Sequence, residues 1–149
     1  MSEKTTDGVE LVGFDRLEKN KGYLFISNHR DISLDPAYID YALFESKLDT
    51  VRIAIGDNLL RMPAATSLMR LNKSFIVKRS IEAPREKLKA FNQLSSYIGL
   101  SIEEGNSVWI AQREGRAKDG NDKTEEAVLK MIGLYGRQKK MDFASYMKS

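Results

Sequence analysis

The sequence predicts an α/β domain with a mixed, mostly parallel sheet flanked by helices. Short runs of β-branched and aromatic residues recur at 23–27, 51–55, 75–77 and 107–111. Segments with apolar residues at helical spacing lie between them, which is the alternation that builds parallel sheets through helical crossovers. Three of the four runs also empty into polar loops: Asn28-His29, Lys78-Arg79, and Arg113-Glu114-Gly115-Arg116. Ligands of such sheets collect outside the carboxyl ends of the strands, so these loops are expected to converge on a site.

Residues 1–20 are polar apart from Val9, Leu11, Val12 and Phe14, an apolar island read as an edge strand or a packed arm. Asn20-Lys21-Gly22 is a turn signal. Residues 23–27 lack polar alternation and form the first buried strand. Asp35 is expected to cap the next helix, with Pro36 at its first position, where a missing N–H is harmless. That helix carries Ala37, Tyr38, Ile39, Tyr41, Ala42, Leu43 and Phe44 and fades near Lys47. The second strand, 51–55, is closed by Gly56-Asp57, and a short helix entered near Pro63 is expected over 59–71. The third strand, 75–77, leads to Lys78-Arg79-Ser80. Leu88, Phe91, Leu94, Ile98 and Ile102 mark a long helix over 84–104 that Gly105 stops. The fourth strand, 107–111, delivers Gln112 and the following polar loop, and Thr124 opens a last helix through about Leu134. The basic stretch 135–149 carries scattered aromatics and no clear pattern.

A chain of 149 residues supports one domain, 1–149, without repeats or low-complexity segments. It has no cysteine, which removes disulfides, thiol nucleophiles and cysteine-ligated zinc. No apolar run reaches the roughly 20 residues of a membrane span, and residues 1–10 lack an apolar signal region, so a cytoplasmic location is expected. The formal net charge is +3. Positive residues gather at Arg61, Arg70, Lys73, Lys78, Arg79, Arg85, Lys87 and Lys89, a patch suited to phosphate, anionic headgroups or nucleic acid, or simply a solvated face. A recognition helix or aromatic platform for nucleic acid is not visible, so no nucleic-acid partner is expected.

His29 is the one histidine, hence the one side chain whose ordinary pKa suits a general base at neutral pH. A histidine with a carboxylate orienter is the minimal pair for taking a proton from a hydroxyl. Asp35 and Asp31 both compete for the orienting role, and a structural role for His29 stands as the alternative. Arg79, just after a buried strand, is placed to clamp phosphate or to act as a charged strand terminator. Glu114-Gly115 follows another strand, where the glycine lets backbone approach a ligand; an ordinary turn is the competing reading.

Taken in order, the loops resemble the glycerol-phosphate acyltransferase family, which includes the 1-acylglycerol-3-phosphate acyltransferases. The residues are Asn28-His29 with Asp35-Pro36, then Phe75 through Arg79, then Trp109 through Arg116, and the likeness covers about residues 20–135. The resemblance implies direct acyl transfer from acyl-CoA or acyl-carrier protein to the hydroxyl of a glycerol-phosphate or lysophospholipid. His29 would be the base. Arg79 with Arg116, aided by Arg113, would hold phosphate, Glu114 and Gly115 would shape the glycerol site, and backbone N–H groups near 28–30 would hold the oxyanion. It implies no metal and no cofactor beyond the acyl donor, and peripheral contact with the inner face of a membrane; Leu59, Leu60, Met62, Leu68 and Met69 would line an acyl groove, touch the membrane or belong to the core. The departures are an extra residue between His29 and Asp35, Arg113 in place of proline, Arg116-Ala117 in place of Thr-Arg, and Lys73 in place of a glycine. The further strand and the apolar N-terminal segment common in the family are not visible, so a shortened or truncated member is expected. Rival readings are a noncatalytic lipid or acyl-thioester binder, and a hydrolase using the same base on water.

Overall fold

The computed structural model describes residues 8–149 apart from 58–66, 68, 70, 79 and 122. Four strands form one sheet in the order β1-β4-β2-β3: β1 (Leu24–Ser27), β2 (Arg52–Gly56), β3 (Phe75–Val77) and β4 (Val108–Ala111). Every described pairing is parallel, in keeping with the mostly parallel sheet expected. The helices α1 (Leu34–Glu45), α2 (Pro84–Glu103), α3 (Glu126–Gln138) and α4 (Phe143–Tyr146) accompany them among the described residues. Most of the helix expected over 59–71 lies outside the described residues.

Side chains alternate across a strand, and the core divides accordingly. Val108 and Ile110 of β4 join Ile98 of α2 and Met131 and Ile132 of α3 on one face, with Leu24 and Ile26 of β1 packed alongside. Trp109 and Ile53 join Leu43 of α1 and Val51 on the other, with Phe25 packed against them. The result is a three-layer arrangement with the strand ends open between the layers. The apolar island near the N-terminus is not an edge strand. It contains a single 3₁₀ turn, Phe14–Arg16, and Phe14 and Leu17 pack against the Trp109 face.

Two helix boundaries differ from expectation for physical reasons. Helix α1 begins at Leu34, so Asp35 lies inside its first turn and is not the cap. Asp31 Oδ1 instead accepts the N–H groups of Ser33 and Leu34, at 2.9 and 2.8 Å, leaving the Asp35 side chain for other partners. Pro36 is still harmless there, because first-turn N–H groups have no intrahelical acceptor.

Helix α3 starts two residues after Thr124 and runs through Gly133 and Gly136 to Gln138. Those glycines are close-packing sites and not stops: a Cβ at Gly133 would meet the Phe143 ring at 2.8 Å, and one at Gly136 the Tyr146 ring at 2.6 Å. The basic stretch thus folds back as α4. Ser95, fully buried on α2, donates to Ile132 O at 3.0 Å and accepts from Tyr135 N at 2.9 Å, tying α2 to α3.

Candidate active site

The loop after β1 carries His29, and the helix entry after it carries Asp35. His29 Nδ1 lies 3.0 Å from Asp35 Oδ2. Both side chains are mostly buried, at 16% and 18% exposure. The same Asp35 oxygen accepts the backbone N–H of Arg30 at 2.7 Å and of Asp31 at 3.1 Å, so the carboxylate is fixed before it meets the ring. A carboxylate only accepts, which places the proton of a neutral imidazole on Nδ1 and its basic lone pair on Nε2. Between His29 and Asp35 the chain turns at Asp31-Ile32-Ser33. That turn is built by Asp31, whose carboxyl is held below the usual carboxylate range by the Leu34 and Ser33 N–H groups, with Arg116 and His29 adding favourable charge. The oxyanion expectation narrows here, because the Arg30 N–H is committed to Asp35.

Strand β4 places the second loop. Parallel pairing sets Ser27 beside Ala111, and Gln112 N donates to Ser27 O at 2.9 Å. Gln112 Nε2 donates to Asn28 Oδ1 at 2.8 Å, while Gln112 Oε1 accepts from Thr124 Oγ1 at 2.9 Å. Further on, Ala117 N donates to His29 O at 2.7 Å. Trp109 lies edge-on to the His29 ring, with centroids 6.1 Å apart, and its Nε1 donates to Ser27 Oγ at 2.9 Å. Gln112 and Trp109 were not among the expected site residues. The signal was available for Gln112: a polar residue directly after a buried strand, level with the Asn28 that follows the neighbouring strand.

A cleft of about 200 Å³ opens at this end of the sheet, lined by His29, Ile32, Ile53, Trp109, Gly115 and Arg116 among others. Of the residues expected to bind substrate, Gly115 and Arg116 face it. Gly115 has φ 76°, a left-handed conformation that glycine adopts without penalty, and the chain reverses there. Glu114 accordingly lines a different cavity on the other face of the sheet, with Arg113, and its N–H donates to Glu125 Oε2 at 3.3 Å. Its expected place beside Gly115 at one glycerol site is therefore not what the geometry brings together. Arg79 lies outside the described residues.

At the strand ends of this parallel α/β domain, the cleft is thus lined by His29, whose ring is held by Asp35, and by Arg116. The Acyltransferase family model matches residues 8–132, and the chain belongs to that family. Among solved structures, the 1-acyl-sn-glycerophosphate (LPA) acyltransferase PlsC from Thermotoga maritima is similar, with 13% identity and a TM-score of 0.47. The likeness covers 80% of this chain and 44% of that one, so the chain spans less than half the length of that protein. No curated protein matches the chain. Among the described residues, no helix is long and apolar enough to cross a membrane.

Proposed function

We propose that this chain transfers a fatty acyl group from an acyl thioester to the hydroxyl of a glycerol-phosphate or lysophospholipid, with His29 as general base. The observation that supports the reading is the 3.0 Å contact between His29 Nδ1 and an Asp35 carboxylate fixed by two backbone N–H groups. His29 Nε2 takes the proton of the acceptor hydroxyl as its oxygen attacks the thioester carbonyl. The C–O bond forms, the tetrahedral intermediate collapses with cleavage of the C–S bond, and the departing thiolate takes the proton back from the imidazolium. Asp35 holds the ring in the required tautomer and stabilises its transient charge. Arg116 on the cleft wall, with Arg79 following β3, supplies the charge for the acceptor phosphate. The donor is acyl-CoA or acyl-carrier protein, and no metal or redox group enters this chemistry. The formal net charge of +3 suits peripheral contact with an anionic membrane face.

The test is thiol release from palmitoyl-CoA with lysophosphatidic acid, with glycerol 3-phosphate, or with no acceptor. Release that requires an acceptor supports the proposal and names the acceptor. Acceptor-independent release that still needs His29 identifies a thioesterase, and binding of palmitoyl-CoA without any release identifies a noncatalytic binder.

A further inference from the structure

Helix α1 buries Pro36, Ala42 and Leu43 and packs Ile39 against the Trp109 layer. At about 3.6 residues per turn its opposite side is made by Leu34, Ala37, Tyr38, Tyr41, Phe44 and Glu45. The solvent side of a surface helix ordinarily carries charged and polar residues. Here it is apolar and aromatic with one carboxylate: Phe44 is 71% exposed, Leu34 48% and Tyr38 38%. Ile32, itself exposed, extends the face to the wall of the His29 cleft.

The charges of the helix indicate what covers this face. It holds three carboxylates, Asp35, Asp40 and Glu45, and no lysine or arginine. Asp35 serves His29 and Asp40 accepts from Val51, which leaves Glu45 as the charge of the exposed face. A helix that settles on an anionic lipid surface carries cations beside its apolar residues, so a membrane fits this face poorly. Glu45 also stands in the last turn, at the negative end of its own helix dipole, where a carboxylate is unfavourable. The positive end of that dipole lies at Leu34, at the other end of the face. Turned end for end, the face therefore complements itself.

We propose that α1 is the interface of a homodimer in which two copies of the helix pack antiparallel about a two-fold axis. An axis between Tyr38 and Tyr41 sets Tyr38 beside the partner's Tyr41 and Leu34 beside the partner's Glu45. Each Glu45 carboxylate then meets the positive end of the facing helix, and aromatic rings, which are favoured in interface cores, fill the centre. One patch serves both copies, as two-fold symmetry requires. The partner's last turn comes to the rim of the His29 cleft, next to Ile32. A single helix pair buries less than a standard interface, so dissociation in the micromolar range is expected.

Sedimentation equilibrium over a concentration series spanning that range is the test. The wild type is expected to pass from monomer to dimer, and Phe44→Lys to remain a folded monomer. Glu45→Lys separates the interface from a purely structural role. It relieves the helix's own dipole, so the melting temperature of the dilute monomer is expected to hold or rise, whereas the dimer dissociates about tenfold more readily because both of its helix ends lose a favourable contact. The chain has no cysteine, so orientation is read by mixing Leu34→Cys with Glu45→Cys under mild oxidation. The mixture is expected to form a disulfide-linked pair and neither variant alone to do so. A monomer at every concentration, a dimer indifferent to Phe44→Lys, or efficient cross-linking of each variant with itself would overturn the proposal. So would a monomer that binds anionic lipid vesicles and loses that binding in Phe44→Lys. These readouts need no turnover and are independent of the acyl-transfer reading.

Discussion

Gln112 and Asn28, 84 positions apart in the sequence, are joined by a 2.8 Å hydrogen bond from Nε2 to Oδ1 across the ends of β4 and β1. Gln112 also accepts from Thr124 and Ala117 N donates to His29 O, so the loop carrying His29 and the loop carrying Arg116 are tied together by hydrogen bonds. The spacing of His29 and Arg116 is thereby set by side-chain amide chemistry as well as by the sheet.

Gln112→Leu removes both amide contacts and keeps most of the volume. We expect kcat/KM to fall by about 10- to 100-fold, the usual cost of a small misplacement of reacting groups, with a stability loss of only about 1–2 kcal/mol. Gln112→Glu retains the acceptor for Thr124, and Asn28 can turn its amide to donate, so partial recovery is expected. Steady-state kinetics with thermal melts of the same samples decide it, and a kinetic loss that merely follows lost stability would contradict the clamp.

Helices α2 and α3 approach closely because Gly99 faces Tyr135. A Cβ at Gly99 would lie 2.0 Å from Tyr135 Cδ1, and the tyrosine is held at both ends by Ser95 Oγ and Glu103 Oε2. Gly99→Ala should cost about 1–3 kcal/mol. The cost should shrink in a Tyr135→Leu background, because the clash partner is gone; denaturant unfolding of the double-mutant cycle measures this. Additive losses would place the strain elsewhere.

Asp40 accepts the N–H of fully buried Val51 at 2.9 Å. Burial raises its carboxyl above the ordinary value, against the lowering effect of the Val51 N–H, Lys73 and Asn72. The folded chain therefore holds this proton more tightly than the unfolded chain. Its contribution to stability is complete below about pH 4 and is lost as pH rises through the raised value. Asp40→Asn keeps an acceptor without the charge, so its stability relative to the wild type should increase from pH 4 to pH 7. Urea unfolding across that range checks the sign, and an advantage greatest in acid would contradict it.

The four strands are legible in the sequence because they are apolar on both faces, which leaves little competing interpretation. The helix ends were harder to read. Asp35-Pro36 has the form of a cap, yet the first N–H groups of α1 are satisfied by Asp31, a choice that depends on the loop closing in three dimensions. Gly133 and Gly136 look like breakers until Phe143 and Tyr146 are seen lying against them. At the site, His29 and the two candidate carboxylates follow from residue type and order. Their division of labour does not, since Asp31 and Asp35 differ only in which N–H groups they meet. The left-handed backbone at Gly115 separates Glu114 from Arg116, and no residue type announces which cavity each will line.

The central claim is that His29, oriented by Asp35, removes the acceptor proton. The most direct measurement compares acceptor-dependent thiol release from palmitoyl-CoA in the wild type, His29→Ala, Asp35→Asn and Asp31→Asn, each shown to be folded by its melting curve. We expect His29→Ala to abolish release and Asp35→Asn to lower kcat by about 10²- to 10⁴-fold. Asp31→Asn should lose far less, because its carboxylate serves the turn and not the ring. Undiminished release from His29→Ala, or a larger loss from Asp31→Asn than from Asp35→Asn, would contradict the account.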